Sequence, residues 1–230
     1  LDVSSQPYRA QDVNHCDINE WPLIQQVPSR CVLCEKCVKV CHETVGSSAL
    51  FVNEKGDKAF IDKNLDLCEF CGSCVSVCPT GTMISKPFKF RARPWELTKV
   101  PSTCTLCGTQ CQIDINVKEN EICRITSDID STVNIGNLCI GGFFGTGFVH
   151  SKQRLQKPLV KEAGILKRAS WDEALQAVAD RATSLQGSAV AGFGSPRLTN
   201  EENYLFQKLF RAALGSNNID SEARFGALRS

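Results

Sequence analysis

The residues with the most chemistry to offer are cysteines, 14 of them in 230 residues. Twelve fall into three sets. The first is Cys31-x2-Cys34-x2-Cys37-x3-Cys41, the second repeats it as Cys68-x2-Cys71-x2-Cys74-x3-Cys78, and the third is Cys104-x2-Cys107-x3-Cys111-x27-Cys139. A thiolate is a soft anionic ligand suited to iron–sulfur clusters or zinc. Three closely spaced thiolates and a fourth further on is a [4Fe-4S] spacing in which the fourth thiolate serves the other cluster of a pair. Crossed groups follow: Cys31, Cys34, Cys37 and Cys78 around one cluster, and Cys68, Cys71, Cys74 and Cys41 around a second. Zinc sites favour two separated pairs, and disulfide frameworks belong to short secreted chains, so two tandem copies of this spacing speak for iron and sulfide. The third set taken alone is compatible with zinc; its place after two cluster motifs favours a third [4Fe-4S] cluster on Cys104, Cys107, Cys111 and Cys139.

The first two sets form an internal duplication that extends beyond sulfur, with Val38 and Val40 matching Val75 and Val77. The copies differ after the fourth cysteine, where Pro79 follows Cys78 but His42 follows Cys41. Gly72 reads as a place where backbone approaches inorganic sulfide and donates to it. Cys123 reads as a buried thiol without a role, and His15-Cys16 as a packed or solvent-facing pair with too few ligands for a cluster. His42 and His150 are given no role. Gly192-x-Gly194 reads as a tight turn, and the Arg91/Arg93/Trp95 stretch as a solvated linker.

The elements that would position these sets can be outlined. Residues 1 to 29 are polar and broken by Pro7, Pro22 and Pro28, which makes them a connector. Ala49 to Val52 and Lys58 to Ile61 flank a turn at Asn53-Glu54-Lys55-Gly56 as a hairpin. Ile113, Ile115 and Val117 alternate with polar residues before a turn at Lys118-Glu119-Asn120-Glu121, with Ile122 and Ile125 beyond, a second hairpin. After Pro158 the pattern becomes α/β. Ser170-Trp171-Asp172-Glu173 is a capping box opening a helix to about Leu185, with Ala174, Leu175, Val178, Ala182 and Leu185 on one face. A strand over Ala189–Phe193, a second helix from Thr199 to about Leu214 closed by Gly215, and a strand from Ile219 continue the alternation.

Composition narrows the function classes. A net charge of +1, from 26 Lys and Arg against 25 Asp and Glu, creates no field for nucleic acid. Apolar runs fall well short of the roughly 18 residues of a membrane span. Leu1 and the tail Ala227-Leu228-Arg229-Ser230 read as the ends of an internal fragment, leaving any targeting peptide out of view.

The order of two cluster motifs, Phe90-Arg91-Ala92-Arg93-Pro94-Trp95-Glu96-Leu97, the third cysteine set, and Ser170-Trp171-Asp172-Glu173-Ala174-Leu175 resembles the molybdopterin oxidoreductase superfamily over roughly residues 30 to 230. That group includes formate dehydrogenase large subunits and the large iron-sulfur subunit of bacterial respiratory complex I, the NADH:quinone oxidoreductase. The resemblance implies an α+β chain. A ferredoxin-like two-cluster domain at 30–100 follows the connector at 1–29. A small β-rich [4Fe-4S] domain spans 101–157, and a truncated α/β molybdopterin-oxidoreductase-like domain begins at 158–230. In formate dehydrogenases a Lys two residues after the last cluster cysteine links cluster to pterin, and here Gly141 stands there. An ungapped alignment puts Gly226 where those enzymes place a metal-binding Cys or selenocysteine, and no cysteine follows Cys139. Molybdopterin is therefore not expected, and the complex I subunit is the nearer likeness. Two departures from it stand out: the upstream His-x3-Cys-x2-Cys-x5-Cys site is reduced to His15-Cys16, and all eight ferredoxin-type ligands are kept.

The resemblance implies electron transfer through three [4Fe-4S] clusters in a complex I-type NADH, or other donor, to quinone oxidoreductase, with no catalytic acid, base or nucleophile. The partners implied are an electron-donor flavoprotein and a downstream iron-sulfur subunit of a membrane-associated respiratory complex. The chain itself would be cytoplasmic, peripheral on the inner face of the plasma membrane. The alternatives are a molybdopterin-dependent formate dehydrogenase and a zinc-stabilised scaffold. Soluble hydrogenase modules share the two-cluster domain, but the α/β segment after Pro158 argues against them.

Overall fold

A computed structural model describes residues 18, 20–55, 58–185 and 187–226. His15 and Cys16 lie outside the described residues. Helices and short strands are mixed throughout, as in an α+β protein. The chain divides into two compact units, one within Leu1–Cys104 and Cys111–Phe148, the other within Thr105–Gln110 and Val149–Ser230.

The first unit opens with β1 (Ile24–Gln26), then a short helix α1 (Lys36–Lys39) that runs into a π-helical turn at Val40–Val45. The hairpin β2 (Leu50–Lys55) and β3 (Lys58–Lys63) follows, then α2 (Ser73–Val77) and β4 (Met83–Ser85). The hairpin was legible, but β2 runs through Lys55, so its tip is narrower than the four-residue turn expected. The larger difference concerns the expected connector. β1 pairs antiparallel with β4, and Trp21, Ile24 and Val27 are buried with Leu50, Ile61 and Met83. Among the described residues the core of this unit thus already includes Trp21 and Ile24, ahead of residue 30, and Ile18 bridges Gln26. Pro22 and Pro28 flank this three-residue strand without interrupting it.

A three-stranded antiparallel sheet completes this unit, in the order β5 (Thr98–Thr103), β6 (Gln112–Lys118), β7 (Glu121–Thr126). The β6–β7 hairpin turns at Glu119 and Asn120, both at positive φ, the backbone of a two-residue primed turn. β5 is fully exposed, so it carries no alternation to announce it. The preceding linker is tethered rather than free, since Arg91 pairs with Glu121 at 3.1 Å and donates to the Ile122 carbonyl. After β7 a long loop leads to Cys139 and α3 (Ile140–Phe144).

In the second unit, the hairpin β8 (Leu159–Glu162) and β9 (Ile165–Arg168) precedes α4 (Trp171–Thr183). The expected capping box of Ser170 with Glu173 opens α4, and a second one, Thr199 with Glu202, opens α5 (Asn200–Lys208), which ends in a π-helical turn to Ala213. β10 (Gly192–Gly194) pairs in parallel with β11 (Ile219–Ser221), and α6 (Ala223–Gly226) follows. The strand expected over Ala189–Phe193 is thus shifted towards Gly194. Gly192-x-Gly194, expected as a turn, is the strand itself. A Cβ at Gly192 would strike the Phe210 and Phe206 rings at 2.6 and 2.8 Å, so glycine there allows the second helix to lie close on the strand. Leu175 and Val178, on the expected core face of α4, are exposed. No helix among the described residues is long and apolar enough to cross a membrane.

Candidate metal centres

The fold brings the first eight cysteines together in the crossed pattern. Cys31, Cys34, Cys37 and Cys78 line one cavity with Ile61 and Met83. Cys41, Cys68, Cys71 and Cys74 line a second with Trp21 and Gly72. Each holds about 330 Å³ of space free of protein atoms. α1 and α2 each carry the third thiol of their set, while the fourth, Cys41 in the π-helical turn after α1 and Cys78 at the C-terminal cap of α2, lines the cavity of the other set.

The duplication is visible in the backbone. Leu33 and Phe70, each just before the second cysteine of its set, both have φ of 52°, and Glu35 and Gly72, each just after it, have φ of 58° and 83°. Glu35 adopts the left-handed conformation with a side chain, so the backbone angle alone does not demand glycine at 72, which lines the second cavity. The Phe143 ring does: it occupies the space of a Gly72 side chain. Phe143 sits on α3, the helix that follows Cys139, in T-shaped contact with Phe144, which packs against the core around the cavities.

The copies diverge at their fourth cysteines. Cys41 is buried within the π-helical turn, its Sγ 3.2 Å from Ser47 Oγ. Cys78 is in extended backbone ahead of Pro79. Burial pulls its thiol up, but the N–H groups of Met83, Thr80 and Thr82 and the Thr80 hydroxyl outweigh burial and bring it below the usual value. Elsewhere burial dominates: Cys37 is pushed up to about 11, and Cys68 and the wholly buried Cys74 are also raised. Crowded, desolvated thiols of this kind need a nearby cation to ionise. His42, next to Cys41 in sequence, is engaged with Ser48 instead, its Nδ1 2.6 Å from Ser48 Oγ.

The donor sets fit iron–sulfur clusters: two quartets of thiols, each around its own cavity, in walls that include an unpartnered buried indole N–H on Trp21. Among the described residues no three His, Cys, Asp or Glu side chains group as ligands of a single ion. Thiolates at the corners of a cube stand further apart than those around one zinc, where a Zn–S bond of about 2.3 Å sets the scale.

The third set is held differently. Within the first unit Cys104 N–H donates to the Cys111 carbonyl at 2.8 Å, at the base of β5 and β6. Asn134 ties the loop before Cys139 to that base: its Oδ1 accepts from Gln112 N–H and Ser131 Oγ, and its Nδ2 donates to Ser127 Oγ and the Asn137 carbonyl. Cys107 belongs to a short loop of the second unit, where Arg197 Nε donates to the Leu106 carbonyl at 3.1 Å. The Thr109 hydroxyl and N–H, the Gln110 N–H and the Arg197 charge bring the Cys107 thiol below its usual value. Cys123 is buried on β7 with its Sγ directed at the Glu121 carbonyl, as expected of a packed thiol. Arg197 and Trp21 carried no sequence signal, being single residues outside the cysteine spacing.

Comparison with known proteins agrees with this architecture. Residues 26–82 match the 4Fe-4S dicluster domain, 97–151 the molybdopterin oxidoreductase Fe4S4 domain, and 154–230 the molybdopterin oxidoreductase model. The chain belongs to the molybdopterin oxidoreductase superfamily. It is 53% identical over 214 residues to the NADPH-Fe(3+) oxidoreductase subunit alpha of Geobacter sulfurreducens, covering 90% of this chain and 25% of that protein. It is 39% identical over 214 residues to a subunit of an NADH-quinone oxidoreductase of Rhizobium meliloti, covering 92% and 25%. A putative formate dehydrogenase of Staphylococcus aureus is 28% identical over 252 residues, covering 89% and 26%. The chain thus spans about a quarter of the length of these curated relatives.

Proposed function

We propose that this chain carries single electrons through three [4Fe-4S] clusters, as part of the large iron-sulfur subunit of a complex I-type oxidoreductase using NADH or another nicotinamide donor. The observation that carries the reading is the pair of cavities, each lined by four thiols in the crossed grouping. Cys31, Cys34, Cys37 and Cys78 hold the first cluster, Cys68, Cys71, Cys74 and Cys41 the second, and Cys104, Cys107, Cys111 and Cys139 the third. The bound clusters supply one-electron redox chemistry; the chain supplies thiolates, N–H and hydroxyl donors to sulfur, and walls that limit water, which together set the potentials.

The relative named for NADPH and the one named for NADH support a nicotinamide-oxidising flavoprotein partner as the donor side. The acceptor side is a downstream iron-sulfur subunit leading to quinone, with the complex at the inner face of the plasma membrane. The name of the 53% identical relative favours ferric iron as a rival acceptor. A molybdopterin-dependent formate dehydrogenase is the second reading, favoured by the match at 154–230 and by the 28% identical relative. Against it stand Gly141 in place of the linking Lys and Gly226 where an ungapped alignment puts the metal-binding Cys.

Iron, acid-labile sulfide, zinc and molybdenum per chain, measured on the full-length protein purified without oxygen, decide between them. About twelve irons from this region, at about four per cluster, and no molybdenum support the electron-relay reading. Stoichiometric molybdenum overturns it in favour of the formate dehydrogenase type, and zinc without sulfide overturns both.

A further inference from the structure

Trp21 lies ten residues before the first cluster cysteine, in the stretch that sequence alone marks as a connector, yet it is 2% exposed and lines the second cavity with Cys41, Cys68, Cys71 and Cys74. Its carbonyl accepts from Lys86 Nζ, and Lys63 Nζ stands 5.9 Å from its ring centroid, so backbone and ring are both held. Its indole N–H is not: Nε1 is buried without a hydrogen-bond partner among the described residues. Three other buried side-chain atoms share that state, on Gln26, Asn116 and Arg124, and none of those residues lines either thiol cavity.

A buried donor loses its water and, unpaired, recovers nothing for it. Phenylalanine would fill most of the same volume without that cost. An indole N–H is a donor only, so the group it serves must be an acceptor, and the acceptors that a thiol-lined cavity offers are sulfur atoms. We propose that Trp21 donates its Nε1–H to a sulfur, thiolate or inorganic sulfide, of the cluster held in the second cavity and thereby raises that cluster's potential. The inference rests on the cluster reading of the two cavities. Hydrogen bonds to sulfur draw negative charge away and stabilise the reduced, more negative state, one of the protein's levers on potential. Among the described residues the first cavity has no unpartnered buried donor in its lining; the donors to sulfur there are the N–H groups of Val38, Thr80, Thr82 and Met83 and the Thr80 hydroxyl. One chain thereby gives two clusters of the same ligand type different potentials.

The test uses the full-length, anaerobically purified protein and its Trp21→Phe variant. Redox titration followed by electron paramagnetic resonance gives each cluster's midpoint, with the second cluster assigned by its loss in Cys68→Ala. Trp21→Phe is expected to lower the midpoint of the second cluster and leave the first unchanged. In protein labelled with 15N-tryptophan, pulsed resonance on the reduced second cluster is expected to show coupling to an indole nitrogen, absent in Trp21→Phe. An unchanged second midpoint in a variant with full iron and sulfide overturns the inference, as does the lack of nitrogen coupling in the native protein. The coupling decides even where Trp21→Phe loses its cluster. Native protein without clusters in these cavities overturns the proposed function itself, a separate result from clusters present but indifferent to Trp21.

Discussion

The Phe143 ring stands where a side chain on Gly72 would be: an ideal Cβ there lies 2.6 Å from the ring's Cγ. The contact joins the helix that follows Cys139 to the turn that carries Cys71. Gly72→Ala forces a φ of 83° on a residue with a side chain and drives it into the ring. The combined cost is about 2–4 kcal/mol from left-handed strain and overpacking. Denaturant unfolding should show that loss, and Phe143→Ala added to Gly72→Ala should recover the overlap part while the strain remains. A double-mutant cycle with no coupling between the two positions would contradict the contact.

The crossed lining of the cavities makes an unusual genetic prediction. Cys78 belongs to the second motif by sequence but to the first cavity by structure. Cys78→Ala should therefore abolish the resonance signal that Cys31→Ala abolishes and spare the one lost in Cys68→Ala. Each variant should lose about four irons per chain. Loss of one signal in both Cys78→Ala and Cys68→Ala would mean that each motif serves its own cluster.

Asn134 makes four hydrogen bonds, one with Gln112 at the start of β6 and three within the loop before Cys139. At about 0.5–1.5 kcal/mol for each bond, tempered by partial exposure, Asn134→Ala should cost about 2 kcal/mol. It should also loosen the third cluster before the other two when iron is withdrawn by a chelator. Equal rates of release for all three clusters would argue that the loop is held by other means.

The α4 cap ties helix stability to pH. The Ser170 N–H, followed by its hydroxyl, holds the Glu173 carboxyl below the ordinary value of 4.5. A carboxyl lowered by folding stabilises above its unfolded value and ceases to do so as pH falls through its folded value. The carboxylate's contribution should thus be intact at neutral pH and fade below about pH 4.5, where Glu173→Gln and the native protein converge. At neutral pH Ser170→Ala should cost about 1 kcal/mol. Circular dichroism melts at several pH values measure both, and a difference between Glu173→Gln and the native protein that persists at low pH would remove the carboxylate from the account.

Cysteine spacing made the grouping around both cavities legible, because ligand geometry is local and fixes which thiol must leave for the other half. The helix starts at Ser170 and Thr199 were legible for the same reason: each is a complete hydrogen-bond pattern within four residues. What escaped depends on distant partners. β1 is three residues long and acquires meaning only through β4, some sixty residues later, so Trp21 and Ile24 read as linker. Gly72 invited an explanation from its nearest cysteines, with which it does line the second cavity, and its further neighbour, the Phe143 ring, comes from α3. β5 is exposed at a sheet edge and lacks the alternation that marks a half-buried strand. Gly192 looked like part of a turn because the Phe206 and Phe210 rings that require glycine there lie on the following helix and its π-helical end.

The interleaving of the two repeats also bears on how the protein is born. As the chain leaves the ribosome, the first repeat emerges with three thiols of one cavity and a single thiol of the other, and neither wall is whole. The second cavity gains its last thiol at Cys74 and the first only at Cys78. A chain ending between the repeats therefore completes the thiol lining of neither cavity.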